Sequence, residues 1–478
     1  MDTANQLGSV EHIVVLMLEN RSFDHMLGFL YADSGNVSPV TKQAFEGLTG
    51  KESNEDATGT SIPVSALTQG SANLYFTPGA DPGEGFLATN MQLFAEASPP
   101  AGISATNSGF VTDFAATLKG GHTHGPIIKG TTASDIMRMF TPELLPVLSG
   151  LARGFAVCDH WFSSVPTETF PNRAFVGAAT SQGHLDDSTP KFTTQSIFGL
   201  LSAHNLDWSI YGYDKAPLTR LDFPDTTNAP ESHFGVFHDF QAAASAGSLG
   251  TYTFLEPSWG SSGNSQHPNY DVSLGEQLIH DVYYALRNGP AWNQTLLIIT
   301  YDEHGGCYDH VPPPTGAVPP DSSAGEFGFD FTRFGVRVPA VLVSPLIAPG
   351  TVFRPSGTVP LDHTSILKTV ETRWKLPPLT ARDAAAPGVG DVLTLAQART
   401  DDPLAGITVP RSATPNPVAG TPSHIQEVFA QLVSELPADG AQAETAAAVP
   451  ALTTEQDYDD YINSRYAAWT AQRASAPS

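Results

Sequence analysis

The chain has 478 residues, enough for up to about three domains or for one large enzyme core with insertions. Apolar residues make up 41% and charged ones 15%, and 49 Asp and Glu against 23 Lys and Arg give a formal net charge of −26. That charge argues against a nucleic-acid partner and against electrostatic docking on anionic membranes, since both depend on Lys and Arg facing phosphates; it leaves neutral lipids open.

Two cysteines, Cys158 and Cys307, exclude a disulfide-rich module and any Cys-x-x-Cys metal or redox motif. Two isolated buried thiols are expected in preference to one disulfide. No run approaches the ~18 apolar residues of a transmembrane span. Met1 to Val10 carries no basic n-region and no long apolar stretch, so it does not read as a signal peptide. The chain is then either cytoplasmic or the mature end of a secreted or periplasmic protein, and its high Gly and Pro content with few Lys favours export.

In chain order, Glu11 to Leu18 contains a continuous apolar run, the pattern of a strand buried on both faces of a parallel sheet, and it stops at Glu19-Asn20. Residues 35–121 are polar, Gly/Ser/Thr-rich and weakly periodic, and read as a loop-rich insertion. Thr141 to Ser149 reads as helix and Phe155 to Asp159 as a short strand. Pro171 to Thr180 can begin a helix, with Pro171 in the first turn. Trp208 to Tyr213 and Tyr252 to Leu255 read as strands. Asp271 to Arg287 is an amphipathic helix, with Leu274, Leu278, Val282 and Leu286 on one row. Thr295 to Thr300 is a second buried strand, ending in Asp302-Glu303. Val338 to Val343 is a third, weakened by Pro339, and Thr364 to Trp374 reads as helix. Alternating strands and helices predict an α/β sandwich with a largely parallel central sheet flanked by helices. Residues 1–380 form the expected catalytic domain. Residues 381–478 are expected to be a proline-rich linker followed by a small helical C-terminal appendage outside the catalytic unit.

The chemistry-bearing residues sit where open α/β sheets place ligands, just past the C-terminal ends of strands. Glu19, Asn20, Asp302 and Glu303 would converge if their strands are parallel neighbours. An all-oxygen set favours Ca²⁺, Mg²⁺ or Mn²⁺ over Zn²⁺. Either acid pair alone reads more simply as ordinary loop acids; the two pairs together, each directly after a buried strand, bring the two readings level. Thr169 stands just before an expected helix N-terminus, where a hydroxyl beside a cation could ionise and attack phosphorus. Alone it reads more simply as an N-cap. Arg173, one turn on, could grip phosphate oxygens in bidentate fashion. Phosphoester cleavage also needs a proton donor for the leaving oxygen, and several of the 15 histidines stand beside Gly, Asp or Pro: His122, His124, His233, His267, His304 and His363. No Gly-x-Ser-x-Gly elbow, P-loop or His-Glu-x-x-His motif is present.

The segment His-Ile-Val-Val-Leu-Met-Leu-Glu-Asn-Arg-Ser-Phe-Asp-His-Met-Leu-Gly (12–28) resembles the opening signature of the bacterial phospholipase C and acid phosphatase family, which plant non-specific phospholipases C share. Thr-Phe-Pro-Asn-Arg (169–173) resembles its nucleophile segment. Gln-His-Pro (266–268) followed by Ile-Thr-Tyr-Asp-Glu-His-Gly-Gly-Cys-Tyr-Asp-His-Val (299–311) resembles its acidic metal motif, and Asp-His-Thr-Ser (362–365) its last motif. The likeness spans roughly residues 10 to 376. It implies an alkaline-phosphatase-like fold and a divalent metal held by Glu19, Asn20, Thr169, Asp302 and Glu303. Ca²⁺ is favoured, with Mg²⁺, Mn²⁺ or Zn²⁺ open. It also implies Thr169 as nucleophile through a covalent phospho-enzyme, with His124, His233 and His267 around the phosphate; His304 and His363 lie inside matched motifs. Thr167-Glu168 stand where a Gly-Pro type pair is common in the family. The implied activity is phospholipase C, releasing diacylglycerol and a phosphorylated head group. Acid phosphatase or general phosphodiesterase is the alternative on the same residues, and a non-catalytic phosphate- or lipid-binding protein is a third. The implied partner is a phospholipid or small phosphoester, with transient contact at a lipid surface.

Overall fold

In the computed structural model, residues 6–100, 102–120, 125–188, 192–437 and 448–475 are described. The centre is one eight-stranded sheet. Its strands in chain order are β1 (His12–Leu18), β2 (Ala156–Val157), β3 (Trp208–Gly212), β4 (Phe234–Val236), β5 (Tyr252–Leu255), β6 (Thr295–Tyr301), β7 (Ala340–Val343) and β8 (Thr351–Val352). Their spatial order is β8-β2-β7-β6-β1-β5-β3-β4. All neighbours are parallel except β7, which runs antiparallel to both β6 and β2. The expected largely parallel sheet is therefore present, and the third apolar run is its one reversed strand. Pro339 stands just outside β7, where its missing N–H costs no ladder bond.

β1 and β6 lie side by side at the middle, with Leu18 paired to Tyr301. Ile13 to Leu18 and Leu296 to Ile299 are fully buried, which is why both read as unbroken apolar runs. Each such side chain contributes roughly 1.5–3 kcal/mol by leaving water. Helices cover the sheet in two packed groups. One joins α3 (Pro146–Gly154), a helix at Phe237–Ala246 and α5 (Val272–Arg287); the other joins α4 (Thr169–Ala178), a helix at Ile197–Ala203 and α6 (Thr364–Trp374). α3 begins five residues later than its sequence suggests, at Pro146. α4 begins at Thr169 itself, so Thr169 is the first helical residue and Glu168 takes the N-cap position.

The stretch read as a loop-rich insertion carries two helices, α1 (Phe86–Phe94) and α2 (Phe110–Thr117), with a small core of their own around Leu93, Phe110 and Phe114. Phe29 and Leu30, which precede it, pack inward. The C-terminal helices α7 (His424–Ser434) and α8 (Glu455–Ser475) pack on each other and onto Phe170, Leu218 and Trp259 of the catalytic region. The expected helical C-terminal region is therefore present, packed against the rest of the chain. Cys158 and Cys307 are separate, buried and free. Among the described residues no helix is long and apolar enough to cross a membrane.

Candidate active site

The parallel pairing of β1 and β6 brings the two acidic strand ends together. Asn20 N donates to Asp302 Oδ1 at 3.0 Å, Glu303 N donates to the same oxygen at 2.8 Å, and Asp302 N donates to Leu18 O at 3.3 Å. Asn20 turns out of the strand with φ +54°, a left-handed conformation that Asn tolerates. Gly305, at φ +59°, lets the facing turn approach: a Cβ there would lie 2.1 Å from Asn20 O.

α4 delivers Thr169 to this rim, where its Oγ1 donates to Asn20 Oδ1 at 3.5 Å. The lead-in is latched from within the helix: Asn172 Nδ2 donates to the carbonyls of Val165, Thr167 and Glu168, while its Oδ1 accepts from Val165 N. Glu168, where a Gly-Pro type pair is common, accepts from Asp187 N at 3.0 Å, and Asp187 in turn accepts from Phe170 N at 2.7 Å. A buried carboxylate thus meets the positive end of α4. Arg173 reaches back to Asp302 Oδ2, with Nε and Nη2 both at 2.9 Å, and lies 4.6 Å over the Trp259 ring. Its Nη1 is buried with no hydrogen-bond partner. The arginine expected to grip phosphate is therefore anchored on an acid with one donor left over.

The rim is dense in buried acid. Burial, then the charge of Asp302, pushes Glu19 up to about 8. Burial also holds Glu303, Glu84 and Asp187 well above the usual carboxylate range, and raises Asp302 against the pull of Arg173. Ionising several such groups together costs dearly unless a cation joins them. Glu19 Oε1 and Glu303 Oε1 are buried without a hydrogen-bond partner. Orphaned oxygens within an all-oxygen donor set fit a divalent ion held by Glu19, Asn20, Asp302 and Glu303 with Thr169 Oγ1 beside it.

Next to them lies a cluster missed in the sequence. Asp81, Glu84 and His267 bring ligand-type atoms within 4.8 Å of one another, all buried. Glu84 Oε2 accepts from Asn20 Nδ2 at 2.7 Å. These acids stand in Asp-Pro-Gly-Glu (81–84), inside the segment read as loop; the Pro-Gly turn between two acids was the available signal. A second group, Asp24, Asp309 and His310, is equally close. Arg337 donates to both of its acids at 2.9 Å, which makes it an internal ion network.

The histidines divide. His267 belongs to the site: Nδ1 lies 3.0 Å from Pro268 O, and Nε2 3.8 Å from Asp81 Oδ1. His363 Nε2 lies 2.5 Å from Asp302 O, and its Nδ1 accepts from Trp161 Nε1 at 3.4 Å, so both nitrogens are occupied. Burial lowers it to about 4. His304 is lowered by burial to about 3 and is held between Gln92 Oε1 at 2.6 Å and Glu303 Oε2 at 3.2 Å. Both sit against the acids, and each has a partner at both ring nitrogens. His233 is not brought to the site at all. It stacks on Trp208, 4.0 Å between rings, at the opposite end of the parallel strands from Glu19 and Asp302. His124 lies outside the described residues.

A hydroxyl at a helix start, facing carboxylates, an amide and a guanidinium at the ends of parallel strands, defines a hydrolase site built for esters that carry negative charge. The comparisons agree. The Phosphoesterase family model matches residues 10–377, and the chain belongs to that family. Non-specific phospholipase C6 of Arabidopsis thaliana is 37% identical over 421 residues, 83% of this chain and 74% of that protein. Non-specific phospholipase C3 of the same plant is 36% identical over 432 residues, covering 84% and 77%. Phospholipase C A of Mycobacterium tuberculosis is 28% identical over 416 residues, covering 78% and 74%. Among solved structures, a phosphonate monoester hydrolase of Agrobacterium radiobacter overlaps 52% of this chain and 72% of its own at 12% identity, with a TM-score of 0.31, too slight a likeness to argue from.

Proposed function

We propose that the protein is a phospholipase C that cleaves glycerophospholipids to diacylglycerol and a phosphorylated head group through a phospho-threonine. The observation that carries the reading is Thr169 Oγ1 at the start of α4, 3.5 Å from Asn20 Oδ1 and beside Asp302 and Glu303. Similarity to proteins named phospholipase C over three quarters or more of the chain supports the substrate class.

Thr169 Oγ gives up its proton to water and forms the new bond to phosphorus, and the bond from phosphorus to the glycerol oxygen breaks in line with it. Water then cleaves the threonine ester, freeing the head-group phosphate and the hydroxyl. A divalent ion held by Glu19, Asn20, Asp302 and Glu303 supplies charge neutralisation and a lowered hydroxyl pKa when bound. The all-oxygen donors favour Ca²⁺, with Mn²⁺ and Mg²⁺ as competitors. Arg173 Nη1 donates to a non-bridging phosphoryl oxygen while Nε and Nη2 stay on Asp302. His267 protonates the departing glycerol oxygen. A carbonyl only accepts, so Nδ1 carries a proton toward Pro268 O, and Nε2 is the nitrogen that exchanges one.

The test is a side-by-side assay on phosphatidylcholine, p-nitrophenylphosphorylcholine and p-nitrophenyl phosphate, with the metal-depleted protein restored by each cation in turn. Diacylglycerol release outpacing monoester turnover is expected. Fast monoester cleavage with lipid untouched would make the protein a phosphatase.

A further inference from the structure

Beside the phosphoester site runs an open cleft of about 590 Å³, within the usual range for small-molecule sites. Phe86, Leu87 and Phe94 of α1 line it together with Ile103, Phe327 and Phe329; Phe86 and Phe329 are buried, while Leu87, Ile103 and Phe327 are exposed. Phe327 is 62% exposed, the most exposed large hydrophobic side chain among the described residues, and Leu87 and Ile103 are 43% and 41% exposed. Three of the seven exposed large hydrophobics thus gather on one cleft. Phe327 is held at φ +53°, costly for a bulky residue, and stacks on Phe86 with ring centres 5.5 Å apart.

A run of packed rings links the cleft's lining to the helix that carries Thr169. Phe86 meets Phe329 at 5.2 Å, Phe329 meets Phe331 at 5.0 Å, and Phe331 meets Phe175 of α4 at 6.2 Å. Gly85, next to Phe86 in the chain, faces the carboxylate of Glu168, the residue before Thr169: a Cβ on Gly85 would lie 3.6 Å from Glu168 Oε2. Glu84, one residue further, holds Asn20. Arg333 lines the same cleft. It lies over Phe94 and Phe329 and donates from Nη2 to Asn90 Oδ1 at 3.0 Å, while its Nη1 is enclosed without a hydrogen-bond partner. An enclosed donor lacking an acceptor is costly and calls for one from a ligand.

We propose that this cleft takes the diacylglycerol end of a phospholipid still seated in a membrane. One acyl chain lies along Phe86 and Phe329, its ester carbonyl accepts from Arg333 Nη1, and Phe327, Leu87 and Ile103 enter the lipid surface. The inference rests on the phospholipase C reading. The net charge of −26 makes a zwitterionic bilayer the fitting surface, because apolar insertion and not Lys or Arg must hold the protein there.

The full chain would be floated with phosphatidylcholine vesicles in chelator, so that binding is read without turnover. Turnover would then be compared on the same vesicles and on p-nitrophenylphosphorylcholine. The variant is Phe327→Asn with Leu87→Gln, since Asn suits the left-handed backbone and Gln an exposed helix position; Arg333→Met is assayed separately. Vesicle binding by the double variant is expected to fall roughly tenfold or more. Vesicle turnover should fall in both variants by at least that factor beyond any change on the soluble substrate. Unchanged vesicle binding by a double variant with wild-type melting behaviour would overturn the proposal, as would equal losses on vesicle and soluble substrate. Wild-type protein that binds vesicles through these residues yet releases no diacylglycerol would sink the catalytic reading and leave the cleft standing.

Discussion

At the scale of single residues, the hydroxyl of Thr169 is the proposed nucleophile. Thr169→Val keeps the shape at the head of α4 and removes the oxygen, whereas Thr169→Ser keeps the oxygen. The Val variant should lose a thousandfold or more in kcat, roughly the scale of removing a nucleophile, with an unchanged melting temperature. The Ser variant should stay within about tenfold of wild type and still trap phosphate on the protein after an acid quench. A Val variant that turns over would remove Thr169 from the role. Arg173→Lys makes a second residue-scale test. The ammonium can pair with Asp302, whose carboxylate is buried, so folding should survive. It cannot hold the acid with two nitrogens and offer a third, so kcat/KM should fall about a hundredfold or more in steady-state assays. The sequence made Glu19, Asn20, Asp302 and Glu303 legible because each follows an unbroken apolar strand, and strand ends are where such sheets carry ligands. The partners of His363 and His304 were not legible: what an imidazole does depends on which groups fill its two nitrogens, and Trp161 and Gln92 lie far away in the chain.

At the scale of elements, the start of α3 shows how a distant side chain sets a helix boundary. Thr141 to Ser149 has the apolar spacing of a helix, but Pro146 takes the first turn, and Glu276 of α5 accepts from Val147 N at 2.7 Å and Leu148 N at 2.9 Å. A cap supplied from 128 residues away leaves no mark in the local sequence. Burial lifts Glu276 from 4.5 to about 7, opposed by those two N–H groups. The folded protein thus holds this proton more tightly than the unfolded chain does. The stability it contributes is complete below about pH 4.5 and is lost as pH rises through about 7. On the order of 3 kcal/mol is involved. Glu276→Gln stays neutral throughout and keeps only one acceptor. It should lower the melting temperature at acid pH yet flatten its fall between these two pH values. An unchanged slope in melts across that range would mean that Glu276 does not titrate there.

At the scale of the whole molecule, the C-terminal helices pack against the helix that carries Thr169. Their Ala-rich setting and the proline-rich approach made them read as a separate tail, and helical spacing alone cannot say which surface a helix will cover. Phe429 of α7 is fully buried in one cluster with Phe170, the neighbour of Thr169, and Trp259, the platform under Arg173. His424, at the head of α7, lies 3.7 Å from Asp187, the acid that accepts from Phe170 N. Lys215, bound to Asp459 at 2.8 Å, ties α8 to the chain just after β3. Phe429→Ala should cost about 3–5 kcal/mol as a core cavity. A cavity that only destabilises leaves the rate per folded molecule intact, so the decisive comparison is with Val282→Ala on α5, in the main core. Measured where both variants are fully folded by melting curves, Phe429→Ala should lose at least about tenfold in kcat/KM, because small displacements of positioning groups are enough to do so. Val282→Ala should keep the wild-type value, and Phe429→Leu should recover most of the loss. Equal rates for the Ala variants would reduce the C-terminal helices to a cover that stabilises the domain, and the alignment of Thr169 and Arg173 would then be set by Asp187, Asp302 and Asn172 alone.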